Sequence, residues 1–366
     1  MKKIAIHSPR VSYYTGGAER YILNLTKELI KSRKKIFLIT YDAPKKSEWF
    51  KEFFRKYNKN IVLLKCTNLD KNFYKYKQAT NPKIWDEESR IFSKEAKKFY
   101  LNSNIYTIVY HYCVDCLNIP KGKKTILHLH GLPDRKRNIE NKAIKKPNKI
   151  IAVSSYIAKG WKKLHNIRKR ISIVHNGIVI NKNVKKIAKK QDIIYFGRLI
   201  KIKGVNYLIK AIKNVIKNEN NLIVKIIGEG PEKKKLEALS KKLKLEKNVL
   251  FLGKISDKKL IKEVSLSKIA VFPSYAREGI MTTILEAINE GCAVIASDSC
   301  SNREFLINNK NSIIFKPKNV KDLTQKLENL LINIRKRNKL TQQAFQDLKK
   351  MSWENQTKKI SKIYWN

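Results

Sequence analysis

Residues 269–297 read Ile269-Ala270-Val271-Phe272-Pro273-Ser274-Tyr275-Ala276-Arg277-Glu278-Gly279-Ile280-Met281-Thr282-Thr283-Ile284-Leu285-Glu286-Ala287-Ile288-Asn289-Glu290-Gly291-Cys292-Ala293-Val294-Ile295-Ala296-Ser297. An apolar run ending in Pro273-Ser274 predicts a buried strand, the stretch from about Met281 to Glu290 a helix, and Ala293 to Ala296 a second buried strand. Strand, helix and strand in that order make a unit of a parallel sheet, whose strands are apolar on both faces. Glu278 and Glu286 flank the helix start. At about 1.5 Å per residue they lie about 12 Å apart or less, a span that suits an elongated polar ligand. The helix N-terminus favours an anionic group, and each carboxylate can accept from sugar hydroxyls. The pattern predicts a phosphorylated sugar. Read alone, the two acids would be a cap and a solvated face residue, so the assignment rests on context.

That context lies upstream. The strand Asp192 to Phe196 ends in Gly197-Arg198-Leu199, with Lys201, Lys203 and Gly204 before the next helix. A glycine at a strand's carboxyl end admits close backbone approach, and Arg198 with Lys203 offers a planar fork and a point charge to a diphosphate.

Working outward, apolar runs alternate with amphipathic stretches along the chain. In the first half strands are expected at 4–8, 36–40, 61–65, 106–112, 125–130, 149–154 and 171–175. The second half repeats the plan at 192–196, 222–227, 249–252, 269–272, 293–297 and 312–315. This is an α/β pattern of two doubly wound parallel sheets, and 366 residues suffice for two domains, each with its own core. The polar segment Asn181 to Gln191 is the expected linker.

In the first half, Ser12 to Thr15 reads as a polar loop, and Gly16-Gly17 precede a helix whose Ile22, Leu25 and Leu29 share a face. Backbone N–H groups at that helix start can approach phosphates; a plain turn is the alternative. No third glycine stands at position 20, so a dinucleotide fingerprint is the weaker assignment. Alternation along Thr125 to His130 puts His128 and His130 on one face. His130 ends the strand where open α/β sheets bind ligands, while His128, His7 and His175 read as structural.

These residues together resemble the retaining nucleotide-sugar glycosyltransferases of family 4, whose fold is GT-B, two facing Rossmann-like doubly wound domains with a cleft between them. The pieces stand in the family's order: Gly16-Gly17-Ala18-Glu19-Arg20, His130-Gly131, Val153-Ser154, His175-Asn176-Gly177, Gly197-Arg198-Leu199 with Lys203-Gly204, Ile227-Gly228-Glu229-Gly230-Pro231, Phe251-Leu252-Gly253, Pro273-Ser274, the glutamate pair, and Ser352-Trp353-Glu354. The resemblance implies an acceptor-side domain over 1–177, a nucleotide-sugar domain over 178–345, and a C-terminal helix over 346–366 that returns to the first domain. It implies glycosyl transfer from a nucleoside diphosphate sugar with retention, with no metal or other cofactor. The acceptor would be a glycan or a lipid-linked sugar of surface polysaccharide synthesis. Arg198 and Lys203 would stabilise the leaving diphosphate, Glu278 and His130 would orient the sugar, and Glu286 would hold the ribose. Gly16, Gly17, Gly197, Gly228, Thr282 and Thr283 would line the donor site. Ile280-Met281-Thr282-Thr283 departs from the usual Phe-Gly-Leu-Val type of sequence, and Ser299 to Glu304 lacks the usual glycine pair, which leaves the donor open. A GT-B epimerase acting on the nucleotide sugar alone is the alternative enzyme.

The formal charge of +50 raises a nucleic-acid reading. Lysine is spread over nearly every helix, accompanied by isoleucine and asparagine, and no arginine-rich stripe, zinc module or aromatic RNA-binding signature is present. Lys145-Lys146, Lys162-Lys163 and Arg168-Lys169-Arg170 fit an anionic membrane surface better, since each lysine near such a surface contributes about 1 kcal/mol. No run of apolar residues is long enough to span a membrane, and Met1-Lys2-Lys3 leads straight into a strand, so a cytoplasmic or peripheral protein is expected. Five cysteines in irregular spacing fit a reducing compartment. Cys113-Val114-Asp115-Cys116 near His111 lacks the second pair that a zinc site requires.

Overall fold

The computed structural model describes residues 2–78, 81–134, 137–181, 189, 191–275 and 282–365. Two compact units divide the chain: Met1–Gly177 with Trp353–Asn366, and Ile178–Ser352.

The first unit is built on a parallel sheet of β1 (Lys3–His7), β2 (Ile36–Tyr41), β3 (Ile61–Leu64), β4 (Ile105–Tyr110), β5 (Lys124–Leu129), β6 (Lys149–Ala152) and β7 (Ile171–Ile173), ordered β3-β2-β1-β4-β5-β6-β7. The second holds β8 (Gln191–Phe196), β9 (Val224–Ile227), β10 (Val249–Gly253), β11 (Ser267–Phe272), β12 (Ala293–Ser297) and β13 (Ile313–Phe315), ordered β10-β9-β8-β11-β12-β13. Every strand expected from the apolar runs is present. Several end earlier than their apolar residues do, because the last residues cap the next element: Ser154, expected inside a strand, accepts from Ile157 N at 3.1 Å as the N-cap of helix Ser155–His165.

In each sheet the order reverses at one place, between β1 and β4 and between β8 and β11. Connections leave these neighbouring strands toward opposite sides, which opens a crevice at their carboxyl ends.

Helix Gly17–Lys31 packs Ile22, Leu25 and Leu29 into the first unit's core. The C-terminal helix Trp353–Trp365 lies against it and buries Trp353, Ile360 and Tyr364 in the same core. Gly177 is pinned there as well, since a Cβ on it would fall 2.4 Å from the Trp353 indole. The second unit runs on to Ser352 rather than to 345, because Leu348 and Met351 are buried in its own core and Ile178 N donates to Met351 O at 2.9 Å.

Of the expected linker, 182–188 and 190 lie outside the described residues. Both visible flanks are tied to one helix end in the second unit. Asn181 Nδ2 donates to Glu290 Oε2 at 2.9 Å, and Lys189 Nζ to Glu290 O at 2.8 Å. No helix among the described residues is long and apolar enough to cross a membrane.

Candidate active site

In the second unit the strand ends are knitted together by backbone. Gly197 N donates to Ile227 O at 3.0 Å and Leu199 N to Glu229 O at 2.9 Å, which holds the turn after β8 against the turn after β9. Gly228 has φ of +140°, and a Cβ there would lie 1.9 Å from Gly197 O. Packing of main chain on main chain therefore requires Gly228, whatever else it does.

Beyond Gly197, the exposed Arg198 and the half-buried Lys203 sit on a turn that closes at Gly204 with φ of +68°. That turn is clamped to the end of β11: Ser274 Oγ donates to Ile202 O at 3.1 Å, and Tyr275 N to the same oxygen at 3.0 Å. A Cβ on Gly204 would meet Pro273 O at 2.2 Å. The two cationic residues are thereby held beside the segment that leads into the glutamate pair, at the crevice between β8 and β11.

Glu278 lies outside the described residues. The helix expected from about Met281 is seen as Thr282–Asn289, with Thr282 exposed and Thr283 and Glu286 half-buried, while Ile284, Leu285, Ala287 and Ile288 face the core. Where a glycine pair was missed, Cys300–Glu304 forms a tight helical turn, with Asn302 Nδ2 donating to Ser299 Oγ at 3.3 Å.

In the first unit Gly16 is the N-cap of helix Gly17–Lys31, and its N–H donates to Glu19 Oε2 at 3.1 Å. A Cβ on Gly16 would strike that carboxylate and the Tyr14 ring, whereas Gly17 faces open space. The expected polar loop at Ser12 to Thr15 is corrected: Ser12 and Tyr13 are buried, Ser12 in the helical turn Arg10–Ser12 and Tyr13 in a charged core built around Arg10. Arg10 Nε lies 2.7 Å from Glu88 Oε2, its Nη2 donates to Trp85 O at 2.7 Å, and Tyr13 O–H donates to Glu88 Oε1. Asp115, from the Cys-x-x-Cys segment, joins this cluster 3.7 Å from His7 Nε2. Burial, opposed by Arg10, pushes its carboxyl up to about 8, and burial lowers His7 to about 3. Cys113 and Cys116 are both buried, with thiols raised well above the ordinary range by desolvation.

His130 follows β5 and is half-buried rather than exposed. Its turn is fixed by Trp161 Nε1, which donates to Gly131 O at 2.7 Å. Its ring meets the edge of Tyr21 at 4.8 Å between centroids. His111, one residue past β4, is its direct partner: His111 Nδ1 and His130 Nε2 are 2.9 Å apart, with the rings stacked at 23°. The sheet register explains the meeting. Tyr110 pairs with Leu127, so the next step sets His111 beside His128, and alternation carries His130 to the same face.

His128 is a satisfied core histidine, with Tyr364 Oη 2.8 Å from Nε2 and Tyr21 Oη 3.4 Å from Nδ1. His175 Nδ1 lies 3.0 Å from Val153 O, a structural contact. Ring nitrogens of His111, His128 and His130 all lie within 4.8 Å of one another, which is near metal-binding spacing. Both His128 nitrogens face tyrosine hydroxyls. Burial holds all three neutral: His130 is lowered to about 4, and His111 and His128 well below the usual imidazole range, with neighbouring rings adding to the effect for those two. His128 reads from the sequence as structural, as found; His111 does not read there as a partner of His130, and the signal that points to it is the parallel register of β4 on β5.

With this geometry in hand, the chain compares as follows. The model described as Glycosyltransferase Family 4 matches residues 15–182, and that described as Glycosyl transferases group 1 matches residues 179–347. Protein CapJ of Staphylococcus aureus is 33% identical over 166 residues, 45% of this chain and 41% of that protein. Uncharacterized glycosyltransferase MJ1178 of Methanocaldococcus jannaschii is 27% identical over 375 residues, 97% of this chain and 96% of its own. The crystal structure of Anabaena HepE in complex with UDP superposes with a TM-score of 0.77 at 16% identity, covering 99% of each chain. The sheets and these likenesses define a GT-B fold. The chain belongs to the family 4 type of glycosyltransferase and is a glycosyltransferase enzyme.

Proposed function

We propose that this enzyme transfers a sugar from a nucleoside diphosphate donor to a glycan or lipid-linked acceptor, with retention at the anomeric carbon. The observation that carries the donor reading is the clamp between the Gly197–Gly204 turn and the end of β11, which presents Arg198 and Lys203 at the crevice between β8 and β11. Cations there stabilise negative charge as it develops on the departing diphosphate, and no metal is needed for that task. Glu286 accepts from the ribose hydroxyls, and Glu278 with His130 orients the sugar. N–H groups at the starts of helices Gly17–Lys31 and Thr282–Asn289, with the backbone at Gly197 and Gly228, meet donor oxygens. Among the described residues at these strand ends, we assign none as a covalent nucleophile. Retention then proceeds on one face of the sugar, the acceptor hydroxyl entering as the diphosphate leaves.

HepE binds UDP, which makes a uridine diphosphate sugar the first donor to try. The exposed Lys162, Lys163 and Arg168 in the first unit support adsorption to anionic lipid, where a lipid-linked precursor of surface polysaccharide would be met from the cytoplasmic side. Incubation with a panel of nucleotide sugars and acceptors, with NMR of the product's anomeric configuration, tests the reading. Inverted product would overturn retention. Donor turnover to a free epimer with no acceptor present would favour the epimerase alternative.

A further inference from the structure

We propose that His111 is a positioning residue for His130, fixing which ring nitrogen of His130 carries the proton so that His130 offers an Nδ1–H donor to its ligand. The inference rests on the reading that His130 meets the transferred sugar, and it adds a chemical role for a side chain that touches no substrate.

One proton lies on the 2.9 Å line between His111 Nδ1 and His130 Nε2. Two neutral imidazoles can place it in two ways. If His130 Nε2 donates, His111 must carry its own proton on Nε2. If His111 Nδ1 donates, its Nε2 is a bare lone pair, and the His130 proton moves to Nδ1. His111 Nε2 settles the choice, being buried with no hydrogen-bond partner. An orphaned buried N–H is rarer in folded proteins than an orphaned acceptor. The adjacent His128 ring, 4.8 Å from His111, offers that atom no relief, since both its nitrogens face tyrosine hydroxyls. The arrangement in which His111 donates is therefore the less costly one. It leaves His130 with an Nδ1–H, suited to a hydroxyl or phosphate oxygen and unsuited to accepting a proton. Desolvation keeps both rings neutral near pH 7, so the single-proton argument holds there.

Two-bond nitrogen–proton correlation spectra of the full chain with labelled histidine, His130 being assigned through His130→Gln, read the tautomer directly. The expected pattern is Nδ1–H in the parent, a change of tautomer in His111→Leu, and its return in His111→Asn, whose amide N–H can take the place of Nδ1–H. Turnover should fall at least tenfold in His111→Leu and recover most of the loss in His111→Asn, with nucleotide affinity unchanged in both. An Nε2–H form in the parent, or an unchanged His130 tautomer in His111→Leu, overturns the proposal. If His111→Leu fails to fold, the parent spectrum decides alone. Should the tautomers behave as stated while His130→Gln transfers sugar at the parental rate, the sugar-contact reading falls and the positioning of His130 by His111 stands.

Discussion

At the strand ends of the first unit stand His7, Arg10, His111, His128 and His130, while the same places in the second unit are held by Gly197, Gly228, Gly253, Pro273 and Ser274. Both sheets share one topology and one kind of crevice, yet they furnish it differently. The first unit packs ionisable side chains beneath its crevice and neutralises them, with Arg10 against Glu88, Asp115 raised and the histidines lowered. The second brings main chain onto main chain so closely that side chains are excluded, and leaves Arg198 outside. A surface of amides suits a ligand part that is always the same, such as a diphosphate. A crevice backed by rigid side chains can discriminate among sugars.

The comparison breaks most sharply at Gly228. Its Cβ would fall on a backbone oxygen, which cannot swing aside, so Gly228→Ala should cost more than about 4 kcal/mol and unfold the second unit, seen as lost soluble yield or a collapsed thermal transition. In the first unit the corresponding weakness is the buried ion pair. Arg10→Met should cost about 3–5 kcal/mol by stranding Glu88, and the double change with Glu88→Met should recover much of it in calorimetric unfolding. Independent, additive losses would show that the two charges are not coupled.

Arg198→Ala separates function from fold. The side chain is exposed, so the melting temperature should hardly move, while transfer falls at least tenfold for the loss of a charge-assisted bond of about 1.5–3 kcal/mol. Parental kcat/KM in this variant would remove the diphosphate clamp. The glutamates sharpen the point. Titration calorimetry of Glu286→Gln should show weaker binding of free nucleoside diphosphate and of nucleotide sugar alike, by about tenfold or less. Glu278→Gln should spare the free nucleotide and lose kcat with the sugar attached.

The mildest test is pH. Asp115 has a folded pKa of about 8 against 3.8 for the ordinary carboxyl, so the folded state keeps a proton that the unfolded state sheds. That group's contribution is fully present below about 4 and is lost as pH rises toward 8. His7 and His130 act in the other direction, since the unfolded chain gains protons below 6.5 that the folded chain refuses down to about 3 and 4. Stability from them is present above 6.5 and lost as pH falls. The melting temperature of Asp115→Asn relative to the parent should therefore rise between pH 4 and 8, and a flat difference would mean that Asp115 is ionised in the fold.

The sequence by itself determined the two parallel sheets, because strands buried on both faces must be apolar throughout and every such run became a strand. It also determined the family, since the short motifs at strand ends stand in order along the chain. Single residues were harder. Gly228 reads from the motif order as a donor-site glycine, whereas the packing role the structure shows, against Gly197, depends on how two neighbouring strands end. Ser12 to Thr15 read as a polar loop, because nothing nearby in sequence announces that Glu88, on a helix far along the chain, draws Arg10 and Tyr13 inward. Glu278 lies outside the described residues, so its place is still known from sequence alone. The partnership of His111 with His130 was decided only by the tertiary structure. Nineteen residues separate them, and the parallel register of β4 on β5, set by the whole sheet, brings their nitrogens within a hydrogen bond of each other.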